Sequence, residues 1–569
     1  MRYLALATDY DGTIAGDGRV EQSTIEALKL VKQSGRKIIL VTGREMPSLM
    51  RCFPEWEIFD AIVAENGALL VMPSTKHEEL LCEPPSQALI DRLNSHDVEP
   101  LSVGKGILAT WIPNDGLVLE SIKELGLEAQ IIFNKGAVMI LPPGVNKASG
   151  LAAALKHLQL SSHNVVAVGD AENDHAFLTA SEFSVALDNA LPALKERADW
   201  VTKGKRGAGV EEMIKQLLED DLLSLSPKRH FISAGERANG EAEMIDPHNT
   251  GILICGSSGA GKSTTTLGII DQLCKSDYQF CLIDPEGDYE SFHNAVVIGD
   301  SERAPTIEEV LQLLADPTKS VIVNLLGIGL EDRPQFFTEL LPRLQELRTS
   351  HGRPHWTVVD EAHHMFPVEW KKMSALAPEN LRSILMITVH PELIAPEVYS
   401  SVDLLIAIGD KAQDKVKMFA KHASLETPKL PKAKELEQGY GLGWLVQESK
   451  EVELLKLERS EIEKVRHKRK YAEGQLPEER SFYFRGPDGK LNLRVQNLAL
   501  FNQIAKGVDD DTWVFHLRNH DYSNWFKEYI KDEELSDETK MIESKKNISA
   551  RETRELICAA IEKRYTLPA

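Results

Sequence analysis

Two short runs in this chain each demand the tip of a buried strand. The first, Asp9-Tyr10-Asp11-Gly12-Thr13, follows the alternating apolar stretch Arg2 to Thr8. The second, Gly256-Ser257-Ser258-Gly259-Ala260-Gly261-Lys262-Ser263, follows the apolar run Thr250 to Cys255 and leads into a stretch with helical spacing, Thr264 to Cys274. Open α/β sheets place such ligand-handling loops at the carboxyl ends of their parallel strands. Each run therefore implies its own site, one suited to cleaving a phosphoryl ester through a carboxylate and one to gripping a nucleoside triphosphate. A chain of 569 residues is also too long for a single core. The expected fold is α/β in tandem: a phosphatase-type domain over residues 1–226, a nucleotide-binding domain over 227–450, a charged linker over 451–480 and a small, mostly helical module over 481–569.

Composition narrows the setting. No run reaches the roughly 20 apolar residues of a membrane-spanning helix, and Met1 to Leu6 passes straight into the Asp9 run without a cleavable signal. A cytoplasmic protein with no membrane partner is the expectation. The six cysteines show no paired metal spacing and read as reduced, structural thiols. Of the net charge of −22, all but one unit resides in residues 1–450, which would repel a polyanion in bulk. The basic run Lys464-Val465-Arg466-His467-Lys468-Arg469-Lys470 reads as a solvated face or linker, and nucleic-acid contact there is the less favoured reading.

In the first region, polar residues recur at successive strand ends. A helix is expected over Ser23 to Gln33, a strand over Lys37 to Val41 ending in Thr42-Gly43-Arg44, and a strand over Asp60 to Ala64 ending in Glu65-Asn66-Gly67. Lys147 precedes an expected helix over Leu151 to His157, and a strand over Val165 to Val168 ends in Gly169-Asp170-Ala171-Glu172-Asn173-Asp174. Phosphoryl transfer to a carboxylate needs a nucleophile, a second carboxyl to protonate the leaving oxygen, Mg²⁺ and cations against the phosphoryl charge, and a hydroxyl to orient it. Residues Asp9 to Asp174 offer all of these.

These four motifs, in this order, resemble the haloacid dehalogenase superfamily of phosphatases, in its sugar-phosphatase and phosphoglycolate-phosphatase-like branch. The resemblance implies Asp9 as nucleophile, Asp11 as general acid and base, and Thr42 and Lys147 on the phosphoryl oxygens. It implies Asp170 as a Mg²⁺ ligand beside Asp9 and the Asp11 carbonyl, with Asn173 and Asp174 in support and Arg44, Asn66 and Asn173 toward the substrate. It also implies a Rossmann-like core with a small α+β cap inserted over about 84–142. Within it, helices are expected at Gln87 to Leu93 and Gly116 to Leu125, with strands at Ile107 to Ile112, Ala129 to Phe133 and Ala137 to Leu141. So compact a cap suits a small phosphorylated metabolite.

In the second region, backbone amides of Gly256 to Ser263 would cradle the phosphates of ATP, with Lys262 on the β and γ phosphates, Ser263 on Mg²⁺ and Thr264 beside it. Trp356 to Val359 reads as a buried strand ending in Asp360, a metal-water ligand, and Glu361, a water-activating base. With Asp284-Pro285-Glu286-Gly287-Asp288-Tyr289 and Asp360-Glu361-Ala362-His363-His364, this region resembles the HerA and FtsK class of motor ATPases. The resemblance implies a homo-oligomer, most plausibly a ring of six, and an arginine donated between subunits, for which Arg343, Arg348 and Arg382 are candidates. The class carries a polar sensor where this chain has Val389, so either Thr388 or His390 substitutes or hydrolysis is slow.

From Ser481 a hairpin around Pro487-Asp488-Gly489 and then helices are expected, with Trp513, Trp525 and Phe526 as core and His516 and His520 as ordinary helix histidines. Three functional readings follow: a metabolite phosphatase coupled to a fused ATPase, a nucleic-acid machine whose phosphatase trims phosphate ends, and an ATP-gated scaffold with weak turnover. The acidic surface and the cap favour the first.

Overall fold

Apolar runs bounded by polar loops become the strands of two large sheets in the computed structural model, which describes residues 2–134, 136–225, 228–257, 260–290, 292–368, 381–431, 436–457, 476, 481–530, 532–545 and 548–565. The chain divides into two units, Met1–Lys262 with Gln272–Leu457 and Ser263–Asp271 with Glu458–Ala569. Among the described residues no helix is long and apolar enough to cross a membrane, and no disulfide forms.

The first sheet has eight strands in the order Trp200–Val201, Phe183–Ala186, Val165–Gly169, Ala5–Thr8, Lys37–Val41, Ala61–Ala64, Leu69–Met72 and His77–Leu80. The first six are parallel and the last two return antiparallel. Ala5–Thr8 and Val165–Gly169 are buried at every position, as strands covered on both faces must be. Gln22–Gln33 and Arg206–Asp220 cover one face through Ile25, Leu28, Val210 and Met213. Lys147–Leu158 and His175–Ala180 cover the other through Leu151, Ala154 and Phe177.

Lys147 does not precede its helix, as the sequence suggested, but opens it. Asn146 accepts hydrogen bonds from the backbone amides of Ala148 (2.9 Å) and Ser149 (3.1 Å), while the Ser149 hydroxyl accepts from the Asn146 amide at 3.0 Å. This reciprocal cap starts the helix four residues before the apolar periodicity begins. Gly150 then lets the helix settle against the sheet, since a Cβ there would stand 2.3 Å from Val63 Cγ1 and 2.8 Å from Gly67 Cα.

Between the third strand and that helix lies the cap. Its antiparallel sheet has the order Gln130–Asn134, Ala137–Leu141, Leu108–Trp111 and Ser102–Val103. Helices Gln87–Ser95 and Asp115–Glu124 close it over a core of Leu89, Leu93, Leu108, Val118, Ile122 and Ile140. The expected cap elements appear with ends shifted by one or two residues. Ser102–Val103, short and exposed, had no periodic signal to betray it.

The second sheet has eleven strands. Seven run parallel in the order Leu404–Ile408, Gly251–Gly256, Ile384–Thr388, Trp356–Val359, Phe280–Asp284, Val321–Asn324 and Val296–Ile298. Four antiparallel strands, Tyr440–Leu445, Glu453–Lys456, Ile232–Arg237 and Ala242–Ile245, extend it at one edge. The glycine-rich loop leaves the strand Gly251–Gly256 and enters the helix Lys262–Lys275.

In the carboxyl-terminal region, Phe482–Phe484 pairs with Leu493–Val495 across the Pro487–Gly489 turn. Trp513, Tyr522, Trp525 and Phe526 are buried in one aromatic core. His516 and His520 each have a carboxylate neighbour that sequence spacing did not reveal, Asp521 at 2.7 Å and Glu543 at 2.9 Å. The two carboxylates differ, which fits separate structural hydrogen bonds. The basic run at 464–470 lies outside the described residues.

Replacing the cap at the head of the Lys147 helix tests this account. Asn146→Ala is expected to cost about 1 kcal/mol of stability, read as a lower urea midpoint for the transition of the amino-terminal domain, with circular dichroism of the native state unchanged.

Candidate active sites

The carboxyl ends of the first sheet's strands bring their polar tips together. Lys147, 1% exposed at its side chain, donates to Asp9 Oδ1 and Asp174 Oδ1, both at 2.6 Å. The other Asp174 oxygen accepts from the backbone amides of Asp170 (2.8 Å) and Ala171 (2.9 Å), which fixes the loop that carries Asp170. Ligand atoms of Asp9, Asp170 and Asp174 all lie within 4.8 Å of one another, and all three residues are buried. Thr13 donates to Asp170 Oδ1 at 3.2 Å. Asn189, which sequence reasoning missed, donates to Asp170 Oδ2 at 3.1 Å and to the Gly12 carbonyl at 2.9 Å. Its signal was its position, just past the end of Phe183–Ala186 on the same sheet edge.

Burial, followed by the Asp174 charge, pushes the Asp9 carboxyl up to about 7 against the pull of Lys147. Burial disfavours the Lys147 ammonium too, yet Asp174 and Asp9 together carry it above its ordinary value. These named groups comprise three carboxylates and one ammonium, an excess of two negative charges if all are ionised. That excess fits a divalent cation, which would favour the ionised form of Asp9.

Asp11, one turn of loop beyond Asp9, is gripped by Arg44 through two parallel bonds, Nε to Oδ2 at 2.6 Å and Nη2 to Oδ1 at 2.7 Å. The guanidinium also sits 5.2 Å from the centroid of the Tyr10 ring. Arg44, expected at the substrate edge, thus spends its fork on the carboxyl expected to move protons. Thr42 is fully buried and its hydroxyl accepts from the Arg44 amide at 3.1 Å. Asn173 donates through Nδ2 to Asn66 Oδ1 at 2.9 Å. Asn66 holds a left-handed φ of 55°, and Glu65 beside it accepts from the Lys105 and Gly106 amides of the cap at 3.1 and 2.8 Å. A Cβ at Gly43 would meet Met139 Sδ of the cap at 3.6 Å and Asn173 Nδ2 at 3.8 Å, so the cap stands directly over this amide pair.

In the second sheet, Lys262 donates to the Ser257 carbonyl at 3.3 Å. Gly261 adopts φ +100°, which glycine alone takes without strain. Ala260 and Ser263 flank these positions in the described chain, whereas Ser258 and Gly259 lie outside the described residues. Asp360 stands at the end of Trp356–Val359, pushed up to about 7 by burial and then by the charges of Glu361 and Asp284, with the Glu361 amide opposing at 2.9 Å. Burial likewise raises Glu361, against Lys262, and its backbone sits at φ 42°. His363 Nδ1 lies 3.3 Å from Glu361 Oε2 and 3.0 Å from Thr388 Oγ1. Burial and its histidine neighbours lower His363 to about 4, so it is neutral at pH 7.

Thr388, fully buried at the end of its strand, therefore bonds His363, which stands beside Glu361. His390 turns instead toward Glu392 at 3.0 Å, and Val389 offers its carbonyl to Lys415 at 2.6 Å. Asp284 accepts from the Asp288 (3.1 Å) and Tyr289 (2.9 Å) amides and shapes its own loop. Arg348 is occupied within its own fold, donating to the Pro354 and Arg382 carbonyls and to Thr357, which removes it as a free intersubunit donor.

Residues 6–98 and 119–214 match the haloacid dehalogenase-like hydrolase family. The phosphoglycolate phosphatase of Methanothermobacter thermautotrophicus is 30% identical over 224 residues, which span 98% of that protein and 38% of this chain. Phosphoglycolate phosphatase 2 of Saccharolobus solfataricus is 32% identical over 222 residues, 92% of its length and 38% of this chain. The chain belongs to the haloacid dehalogenase-like hydrolases. A solved haloacid dehalogenase-like hydrolase from Bacteroides thetaiotaomicron covers 38% of the chain and 99% of its own at 18% identity, with a TM-score of 0.34. Residues 246–394 match an AAA domain.

This haloacid dehalogenase-like hydrolase thus joins a phosphatase domain to an AAA-type ATPase domain. Phosphatases of its family generally use Mg²⁺ and AAA domains bind ATP. The cluster of Asp9, Asp170 and Asp174 fits such a cation by charge and by spacing.

The Arg44 clamp yields a prediction. Arg44→Lys keeps the charge but loses the fork, so phosphatase kcat/KM is expected to fall about tenfold or more, read by initial rates, with the unfolding free energy unchanged to within about 1 kcal/mol.

Proposed function

We propose that this chain hydrolyses a small phosphate monoester at the Asp9 site and binds and hydrolyses ATP at the Lys262 loop. Asp9 attacks phosphorus while the leaving oxygen takes a proton from Asp11, giving an aspartyl phosphate and the free alcohol. Asp11 then removes a proton from water, which attacks the same phosphorus and releases phosphate. Lys147 and the Thr42 hydroxyl hold the phosphoryl oxygens, Arg44 aims Asp11, and Asp174 keeps Lys147 and the Asp170 loop in place. Bound Mg²⁺, held by Asp9, Asp170 and the Asp11 carbonyl, would supply charge neutralisation at the phosphoryl group.

The observation that carries this reading is the buried Lys147 ammonium bonded at once to Asp9 and Asp174, beside an Asp11 fixed by two bonds from Arg44. The relatives' names point to phosphoglycolate, and a compact cap whose apolar Ile107, Met139 and Leu141 are buried beside Ala68 of the core favours a small ester over a polymer end. At the second site, Lys262 would hold the β and γ phosphates, Ser263 and Asp360 the Mg²⁺, and Glu361 the attacking water, with Thr388 reporting through His363. A ring of subunits, as in motor ATPases, would complete this second site.

A screen of phosphoglycolate, sugar phosphates and end-phosphorylated oligonucleotides, with and without ATP, tests the substrate class. Turnover confined to the oligonucleotides would overturn the metabolite reading. Asp9→Asn is expected to abolish phosphatase turnover while ATP binding persists, and Asp11→Asn to slow it by about 10²–10⁴. Lys262→Ala should remove ATP binding, followed by fluorescent-nucleotide titration. Glu361→Gln should bind ATP yet stall its hydrolysis, and parental rates in that variant would place the base elsewhere.

A further inference from the structure

Glu182 belongs to neither site. It is 1% exposed just before Phe183–Ala186, where the phosphatase and ATPase domains meet, and five side chains converge on it. Its Oε1 is 2.7 Å from His248 Nε2 and 3.2 Å from Arg2 Nη2, and the Tyr278 hydroxyl lies 3.4 and 3.2 Å from its two oxygens. Its Oε2 faces His163 Nδ1 at 2.7 Å and His230 Nδ1 at 3.8 Å.

The protons on His163 do not balance without a positive species. Its Nε2 lies 2.6 Å from the Ser276 carbonyl, which only accepts, so Nε2 carries a proton. A neutral ring would then aim the bare Nδ1 lone pair at a carboxylate oxygen, a repulsive contact unless a proton or a metal ion sits on that nitrogen.

Three observations favour the metal ion. His230 Nδ1 is too far from Oε2 for a hydrogen bond, and its 3.8 Å together with the 2.7 Å of His163 Nδ1 from the same oxygen brackets the roughly 3–3.5 Å that separates two ligands of one ion bound at about 2.0–2.2 Å. His230 Nε2 is buried with no hydrogen-bond partner among the described residues, so no bond at that nitrogen competes for the orientation of the ring. The His163 Nε2 contact with a backbone carbonyl is the outer bond that orients metal-bound imidazoles. Arg2 and His248 engage the opposite oxygen, and Asp246 lies within electrostatic range of Arg2.

We propose that His163, Glu182 and His230, whose ligand atoms lie within 4.8 Å of one another, hold a structural divalent transition-metal ion of the zinc class. Two imidazoles and a carboxylate are a ligand set such ions accept, with water or Tyr278 completing the shell. His230 ends the turn Lys228–His230 that leads into the first strand of the ATPase domain, and His163 bonds the residue that caps the helix Lys262–Lys275. The ion would therefore fasten the interdomain connection to the phosphatase.

The full chain, freed of any affinity tag and kept in excess Mg²⁺ to fill the carboxylate site, decides the matter. We expect one zinc per chain by elemental analysis and, after chelation and reloading with Co²⁺ in the same excess of Mg²⁺, the visible absorption bands of a low-coordinate nitrogen-ligated ion. His230→Gln should weaken Co²⁺ binding at least about tenfold with Mg²⁺-dependent phosphatase kcat unchanged. Absence of retained zinc and of cobalt bands in the parent would overturn the site and assign a proton to His163, as would equal Co²⁺ affinity in His230→Gln. If that variant fails to fold, stoichiometry and spectrum of the parent alone settle it.

Discussion

A lysine ammonium with 1% of its side chain exposed can persist in a protein only if its charge is answered on the spot, because desolvating an ion costs several kcal/mol. Lys147 is answered by Asp9 and Asp174, and much of the phosphatase domain is arranged to make that meeting possible. Asn146 caps the helix so that Lys147 is its first residue. Gly150 and Gly67 allow the helix to press against the third strand and its loop; Gly67, at φ +108°, would carry a Cβ only 1.9 Å from the Asn146 carbonyl oxygen. Asp174, in turn, uses its second oxygen to hold two backbone amides of the Asp170 loop. Removing one member of this set strands the others as buried, unpaired charges, so geometry and stability are enforced together.

The ATPase site solves a related problem with less burial and more backbone strain. Asp360 and Glu361 are adjacent carboxyls at a strand end, both raised chiefly by burial, and Glu361 adopts φ 42° to leave the strand direction. Strain of this kind persists where the surroundings over-determine it, as they do at functional loops. His363 bonds Thr388 and stands beside Glu361, so that the strand Ile384–Thr388, which lies between the loop strand and the acidic strand, is linked to a side chain next to the group expected to handle water.

What could be read in advance follows from this chemistry. Asp9, Thr42, Asn66, Asp170 and Asp360 were legible because each ends an apolar run, and a parallel strand leaves its carboxyl end open to ligand. Strands such as Lys37–Val41 and Ala137–Leu141 were legible to the residue, since buried β-branched runs have sharp polar boundaries. The start of the Lys147 helix was not, because a cap is a local hydrogen-bond pattern that precedes any periodicity. Nor were the pairings of Arg44 with Asp11, of Glu65 with the cap amides, or of Asn189 with Asp170. These join segments distant in sequence, and only the folded sheet brings them within 3.1 Å.

The Glu182 cluster was invisible for the same reason, and its place explains how one strand layer serves two purposes. The strands Ala5–Thr8, Val165–Gly169 and Phe183–Ala186 carry Asp9, Asp170 and the Asn189 loop at their carboxyl ends. At their amino ends stand Arg2, Asn164 and Glu182, and here the ATPase domain attaches. Asn164 donates to the Gly352 carbonyl at 3.4 Å, His163 meets Ser276, and Glu182 meets His248 and Tyr278. Docking at the amino ends leaves the carboxyl ends free for the cap. It also sets His163 of the phosphatase domain against Ser276, the residue that caps the helix ending at Lys275.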